Sequence, residues 1–393
     1  MQKQYVRPMV ILLIVQFLVM VGFGIVIPIL PFLVEKLGGG ALSLGIFMSA
    51  YSIMQFFFAT FWGRLSDRIG RRPVLLIGLS GYGVTFFLFG LATNLPLLIA
   101  IRAVSGVISS ATLPTAMAYL ADITEGAERS KSMGMVGAAM GLGMIFGPAL
   151  GGWLGQYSFS LPFFVAGGLA LLVLPFAWSF LPETLKKIGV TPARKPRRLS
   201  WEVIKDPLFT LFAINFTLSF TMAMFETTFA LLAALKVGFG PKEMGMTFVI
   251  IGIASTIVQG GLIGKLVKRF GDAKLVKMGM YMSAAGLIFI LLSQNTFFII
   301  TATMVFMIGT ALMGPTSSSL VTQQNTHGQG ASLGFFQSFG SLGRMFGPIA
   351  GGVLYGLNVG LPYITGAVFL IVMVLITGRK ISGYGQAVPA TQE

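Results

Sequence analysis

Apolar runs separated by short clusters of charge and turn residues cover almost the whole of the 393-residue chain. A membrane-crossing helix needs about 20 predominantly apolar residues. Twelve runs meet that length or come close to it: 9–33, 43–62, 74–93, 97–120, 132–155, 161–181, 208–235, 244–263, 275–293, 297–320, 332–356 and 361–378. The pattern predicts an all-α membrane protein. The first run is too long for a cleavable signal and reads as a retained span. Connections are short except from Leu181 to Pro207, which carries Lys186, Lys187, Arg194, Lys195, Arg197, Arg198 and Lys205. That stretch divides the chain into a bundle at 1–185, a linker at 186–206 and a second bundle at 207–393. Trp201, Val203 and Ile204 either lie along the membrane surface or belong to a solvated linker.

Composition agrees with the pattern. Charged residues are 10% of the chain, against about 25% in an ordinary soluble domain, so lipid must cover what charge cannot keep in water. The net charge of +15 would fit a nucleic-acid partner, but its placement argues against one. If the spans alternate in direction, 22 of the 27 Lys and Arg fall on one side. Lys36, Lys236 and Lys242 fall on the other, and Arg102 and Arg344 lie inside spans. Positive charge gathers on the cytoplasmic side, so both termini are expected there. There is no cysteine, hence no disulfide.

The two halves repeat. Gly134, Leu142, Gly143, Phe146, Gly147, Pro148, Gly151 and Gly152 recur 200 residues later at Gly334, Leu342, Gly343, Phe346, Gly347, Pro348, Gly351 and Gly352. Gly63, Leu65, Arg68 and Gly70 recur 201 later at Gly264, Leu266, Arg269 and Gly271. Both copies face one side, so each half holds an even number of spans. Two parallel six-helix halves around a substrate path form a transporter architecture.

On these residues the chain resembles the major facilitator superfamily, and within it the twelve-span drug/proton antiporter branch of bacterial multidrug exporters. The segment Gly63-Arg64-Leu65-Ser66-Asp67-Arg68-Ile69-Gly70-Arg71-Arg72 is similar to the signature loop of the superfamily. Arg102 with Gly106 in span 4 matches proton-coupled branches. Gly134, Gly143, Gly147, Pro148, Gly151 and Gly152 in span 5 resemble the antiporter motif, and Gly24, Pro28 and Pro31 in span 1 fit the same branch.

Small residues four apart let helices approach closely in lipid, and Pro148 bends its span. Such a helix either closes the outer seam between the halves or simply packs tightly. The resemblance implies that Asp67, Arg71 and Asp122 latch the cytoplasmic side, with Asp67 capping the start of span 11; the alternative is a basic tight turn. Lys268 stands where the second copy would need Asp67, so the latch is expected to be asymmetric.

A charge at the bilayer centre costs about 3 kcal/mol or more, which marks Arg102, Glu226 and Arg344 as functional candidates. Arg102 shares a face with Ser105, Ser109 and Thr112; it either tunes an acid or snorkels to the outer headgroups. Glu226 lies on a face with Asn215, Ser219, Met222 and Ala230. The resemblance places that face on the substrate path and makes Glu226, with Arg102, the proton or cation site. Removing a carboxyl from water favours its protonated form, as a proton carrier requires. The alternative is an interhelical hydrogen-bond partner. Some relatives carry a second acid in span 10, but Gly309–Pro315 has none, so coupling rests on Glu226 alone, involves Glu35, or uses another ion. Arg344, whose repeat counterpart is Met144, is assigned to closing the interface between halves. Tyr51, Gln55, Phe58 and Phe229 are further candidates for the cavity wall. His327 has no ligand partners in sequence and reads as a loop residue.

No phosphate-binding loop, nucleophile elbow or metal motif occurs, so neither enzyme activity nor a cofactor is expected. The expectation is a monomer in the plasma or inner membrane. It would export lipophilic cationic drugs in exchange for protons by alternating access, with small molecules, protons and lipid as its partners. The rivals are a sugar or metabolite transporter of the same fold and a non-transporting scaffold or receptor.

Overall fold

The computed structural model describes residues 6–185, 206, 208–324 and 329–384, and among them every regular element is helical. Twelve helices follow the twelve apolar runs. They are α1 (Val6–Lys36), α2 (Ala41–Ile69), α3 (Arg71–Leu91), α4 (Leu95–Ile123), α5 (Gly126–Gly155) and α6 (Leu161–Phe180). The second series is α7 (Phe209–Val237), α8 (Pro241–Phe270), α9 (Asp272–Leu292), α10 (Thr296–Gln323), α11 (Gln329–Leu357) and α12 (Leu361–Tyr384). Eleven are long and apolar enough to cross a membrane; α11, which carries Gln337, Ser341 and Arg344, is the more polar exception. Large apolar side chains such as Phe57, Leu172 and Leu375 stand 61–71% exposed, as lipid-facing residues should. The basic linker residues, Trp201, Val203, Ile204 and His327 lie outside the described residues.

The helices overrun the apolar runs. The signature segment is not a loop: Gly63 to Ile69 form the last two turns of α2, and only Gly70 separates them from α3. Gly70 has φ 108, which a side chain would strain, and Gly271 (φ 75) makes the equivalent break between α8 and α9. The duplication extends to caps: the Asn94 side chain accepts from the Leu97 N–H at 2.9 Å and that of Asn295 from Phe298 at 3.0 Å. Each cap satisfies an otherwise orphan amide at a helix start. Two irregularities break the pattern. A turn at Ser110 and Ala111 interrupts α4, and α8 contains a π-helical turn at Val258–Leu262 built on Gly260 and Gly261.

The chain forms two compact units. The first gathers Met1–Gly39, Ala50–Arg197 and Gly240–Val249; the second gathers Gly40–Ser49, Arg198–Phe239 and Ile250–Glu393. In the first, α1 packs mainly on α5, and α3 on α6 and α4. In the second, α7 packs on α11, and α9 on α12 and α10. The paired helices are the same in both.

Candidate functional site

Glycine sets the register of the central helix pair in each unit. A Cβ placed on Gly143, Gly147 or Gly151 would lie 2.5–2.6 Å from the carbonyl oxygens of Phe17, Val21 and Ile25 on α1. No side chain fits, so these backbones touch through glycine alone. In the second unit a Cβ on Gly343 or Gly347 would meet the carbonyls of Phe216 and Phe220, and one on Gly351 would meet Met224. Matching the contacts residue by residue shows that α1 and α7 correspond with an offset of 199. The motif's last glycine has a different partner: Gly152 faces Pro241 and Gly245 at the start of α8, and Gly352 faces Ala41 and Leu42 at the start of α2. Each of these helix starts belongs to the same compact unit as the glycine it meets.

The first unit holds a caged cation. Arg102 is 2% exposed, with its guanidinium 4.3 Å from the Tyr51 ring centroid and 6.0 Å from that of Phe23. Tyr51 is fixed in turn by Ser109, whose hydroxyl donates to the Tyr51 oxygen at 2.9 Å. A desolvated cation over an aromatic face gains about 2 kcal/mol, and the planar guanidinium suits that stacking. Arg102 therefore turns inward rather than snorkelling. Its counterpart 201 residues on is Thr303, a buried hydroxyl that donates to the Ile299 carbonyl at 2.7 Å.

The second unit holds the acid. Ser219, Met222 and Glu226 are half-buried on one stripe of α7, and the sequence neighbours of Met222 and Glu226 are buried. Arg344, midway along α11, is exposed and donates to the Ser341 hydroxyl at 3.1 Å. The other candidate wall residues divide. Gln55 is half-buried. Asn215 is buried and donates to the Phe336 carbonyl at 2.6 Å, stapling α7 to α11. Phe229 is fully buried and stacks on Phe225 at 4.7 Å. Phe58 packs on the cluster of Trp62, Val74 and Ala111, and Tyr51 serves Arg102. Tyr51, Asn215 and Phe229 are therefore buried in packing, while Phe58, like Gln55, is half-buried.

The predicted latch residues do meet, within the first unit. Arg71 bridges Asp67 at 2.5 Å and Asp122 at 3.3 Å, and also donates to Ser66 at 2.7 Å. Glu183 joins them without any signal in the sequence. Its carboxylate accepts from the Arg71 and Arg72 backbone amides at 2.9 and 3.1 Å, so it caps the start of α3. The Tyr119 hydroxyl donates to the Pro182 carbonyl and the Thr184 hydroxyl to Asp122, which ties the segment after α6 to this cluster. The second unit inverts the polarity. Asp272 stands where Arg71 stands, and Gln323 where Asp122 stands; Asp272 accepts from Gln323 at 2.8 Å and from Ser319 at 2.9 Å.

Comparisons with known proteins agree with this architecture. A profile of the Major Facilitator Superfamily matches residues 12–323 and 211–383. The chain is 30% identical over 364 residues to Multidrug resistance protein 2 of Bacillus subtilis, covering 91% of this chain and 90% of that one. It is 27% identical over 351 residues to the quinolone resistance protein NorA of Staphylococcus aureus, covering 88% and 89%. The solved structure of a peptide transporter superposes with a TM-score of 0.78 over 97% of this chain and 95% of its own, at 15% identity.

Proposed function

Because the chain belongs to the major facilitator superfamily, and so is a multi-span membrane transporter of small molecules rather than an enzyme, we propose that it exports lipophilic drugs with a cationic centre in exchange for protons. The similarity to proteins named for multidrug and quinolone resistance supports efflux. The observation that carries the coupling is Glu226. It is an acid within a span, half-open on α7, where a fixed negative charge is costly unless it has a function.

In this reading residues 1–185 and 207–393 act as two bundles joined by a cytoplasmic linker at 186–206. A monomer sits in the plasma or inner membrane with both termini in the cytoplasm. Ionised Glu226 receives the cation when the site is open to the cytoplasm. Protonation from outside removes the attraction and releases the cargo. A charge crossing the membrane is worth about 2.3 kcal/mol per 100 mV, enough to support a substantial gradient. The glycine crossings at Gly152 and Gly352 would form and break as access alternates, and the Asp67–Arg71–Asp122 cluster would hold the cytoplasmic end of the first bundle. The test is proton-driven efflux of a cationic dye from vesicles. Glu226→Gln should leave the protein folded and lose proton-driven accumulation; coupling equal to the parent protein would refute the assignment.

A further inference from the structure

We propose that the end of the second unit that carries the Gly271 break binds the headgroup of an anionic phospholipid. Arg269 and Lys274 receive its phosphate, and the Phe270 ring gathers the two bases. The inference makes no use of Glu226 and is tested apart from the transport reading.

Three observations support it. The first is a convergence of like charges. The Arg269 guanidinium lies 5.3 Å and the Lys274 ammonium 5.2 Å from the Phe270 ring centroid, which sets the two cations no more than about 10.5 Å apart. Surface charges act on each other over about 10 Å in 0.1 M salt, so the two bases repel each other and gain from an anion placed between them. Asp272, the acid between them in sequence, is engaged with α10: its carboxylate accepts from Ser319 at 2.9 Å and from Gln323 at 2.8 Å.

The second observation comes from the duplication. At the 201 offset the first unit has Asp67, Ile69 and Pro73 where the second has Lys268, Phe270 and Lys274. The first end sets Asp67, Asp122 and Glu183 around the start of α3. The second has Gln323 in the place of Asp122, and α12 adds Arg379 and Lys380 where α6 has Ser179 and Phe180. Membrane orientation requires bases. It requires neither the loss of their acids nor a ring that gathers them.

Third, these bases stand directly over exposed apolar surface. Met278 and Tyr281, four and seven residues after Lys274, are 38% and 49% exposed. Leu375 and Ile376, four residues before Arg379 and Lys380, are 71% and 70% exposed. Residues so spaced share a helix face. α9 packs on α12, and a Cβ on Gly378 would lie 3.8 Å from the Lys277 stem, so the bases of both helices stand at one end. A lipid fits this arrangement, with its headgroup at the bases and its tails along the apolar faces. A free anion would use only the first part of it.

Native mass spectrometry of the detergent-purified full-length protein tests the proposal, with phosphatidylglycerol or phosphatidylcholine of identical chains titrated in. The parent protein should bind phosphatidylglycerol more tightly. Arg269→Gln combined with Lys274→Gln should lower the ratio of the two affinities by roughly 25-fold, about fivefold for each base near an anionic lipid. Reading the ratio cancels a general packing defect, which weakens both lipids alike. Should the double variant fail to fold, either single substitution should still lower the ratio by about fivefold. Arg269→Lys with Lys274→Arg should keep it within about twofold, because charge sets it. Arg64→Gln with Arg68→Gln, at the matching end of the first unit, should also leave it within about twofold. No preference in the parent protein, an unaltered ratio in the neutralised variants, or an equal loss from the first-unit pair would overturn the inference. Glycerol 3-phosphate, which carries the phosphate without tails, should leave the bound lipid in place at equal concentration. Displacement would make this a site for a free anion and overturn the lipid assignment.

Discussion

The two units share a scaffold and differ in their charges. Each is organised by one glycine-lined helix pair, α1 on α5 and α7 on α11, with contacts that match residue for residue. On that common frame the first unit carries a buried cation, Arg102, enclosed by Tyr51 and Phe23. The second carries Glu226, half-buried on α7, and Arg344, exposed on α11. The ends that carry the breaks at Gly70 and Gly271 diverge in the same manner: Arg71 with Asp67 and Asp122 in one, Asp272 with Gln323 and Ser319 in the other. Glycine and apolar positions, which the membrane dictates, stayed alike. Ionisable positions, which the membrane penalises unless they are used, did not. The comparison teaches where to look for function in a duplicated membrane protein: at charges present in one copy and missing from the other.

Substitutions at these positions test that contrast. The largest effect is expected from Arg102→Met, which removes the first unit's cation and leaves its aromatic cage empty. Efflux should fall by at least tenfold, and Arg102→Lys should not restore it, because an ammonium lacks the planar fork that stacks on Tyr51. Transport assays matched to expression level decide this. The glycine pair should respond symmetrically. Gly147→Ala and Gly347→Ala each force a methyl against a carbonyl of the partner helix, costing about 1–3 kcal/mol by overpacking. Thermal unfolding in detergent should show similar losses of Tm; a loss confined to one unit would contradict the shared scaffold. Tyr51→Phe removes one buried hydrogen bond from Ser109 and should cost about 1 kcal/mol while keeping the ring over Arg102. Smallest is Glu183→Gln, which weakens a partly solvated cap on α3 by about 0.3–1 kcal/mol, visible as faster proteolysis after α6 with efflux nearly intact.

Most of the frame could be read in the sequence, because lipid imposes long apolar runs and duplication copies glycines at a fixed offset. The twelve helices and the two series followed from those signals, and the meeting of Asp67, Arg71 and Asp122 from the resemblance of the signature segment. Helix ends did not. The signature segment reads as a loop by its charge, yet nothing in Gly63 to Ile69 prevents α2 from continuing through it. Only the positive φ of Gly70 stops it. Glu183 was missed because it lies 112 residues from its partner Arg71, and no periodicity links the two. Asn215 and Phe229 looked like cavity residues because polar and aromatic side chains mark a path and a staple equally well. Only the partner, the Phe336 carbonyl or the Phe225 ring, separates the two uses. The exposure of Arg344 was likewise out of reach of the sequence, because it depends on how α11 rotates against α7, which the glycine contacts determine.

The central claim is that cargo and proton share Glu226. Adding a lipophilic cation to the purified protein in weakly buffered detergent solution, with a pH-sensitive dye present, tests it directly. The parent protein should release protons as the cation binds, and Glu226→Gln should release none. Undiminished release from Glu226→Gln, or none from the parent protein while it binds the cation, would contradict the account.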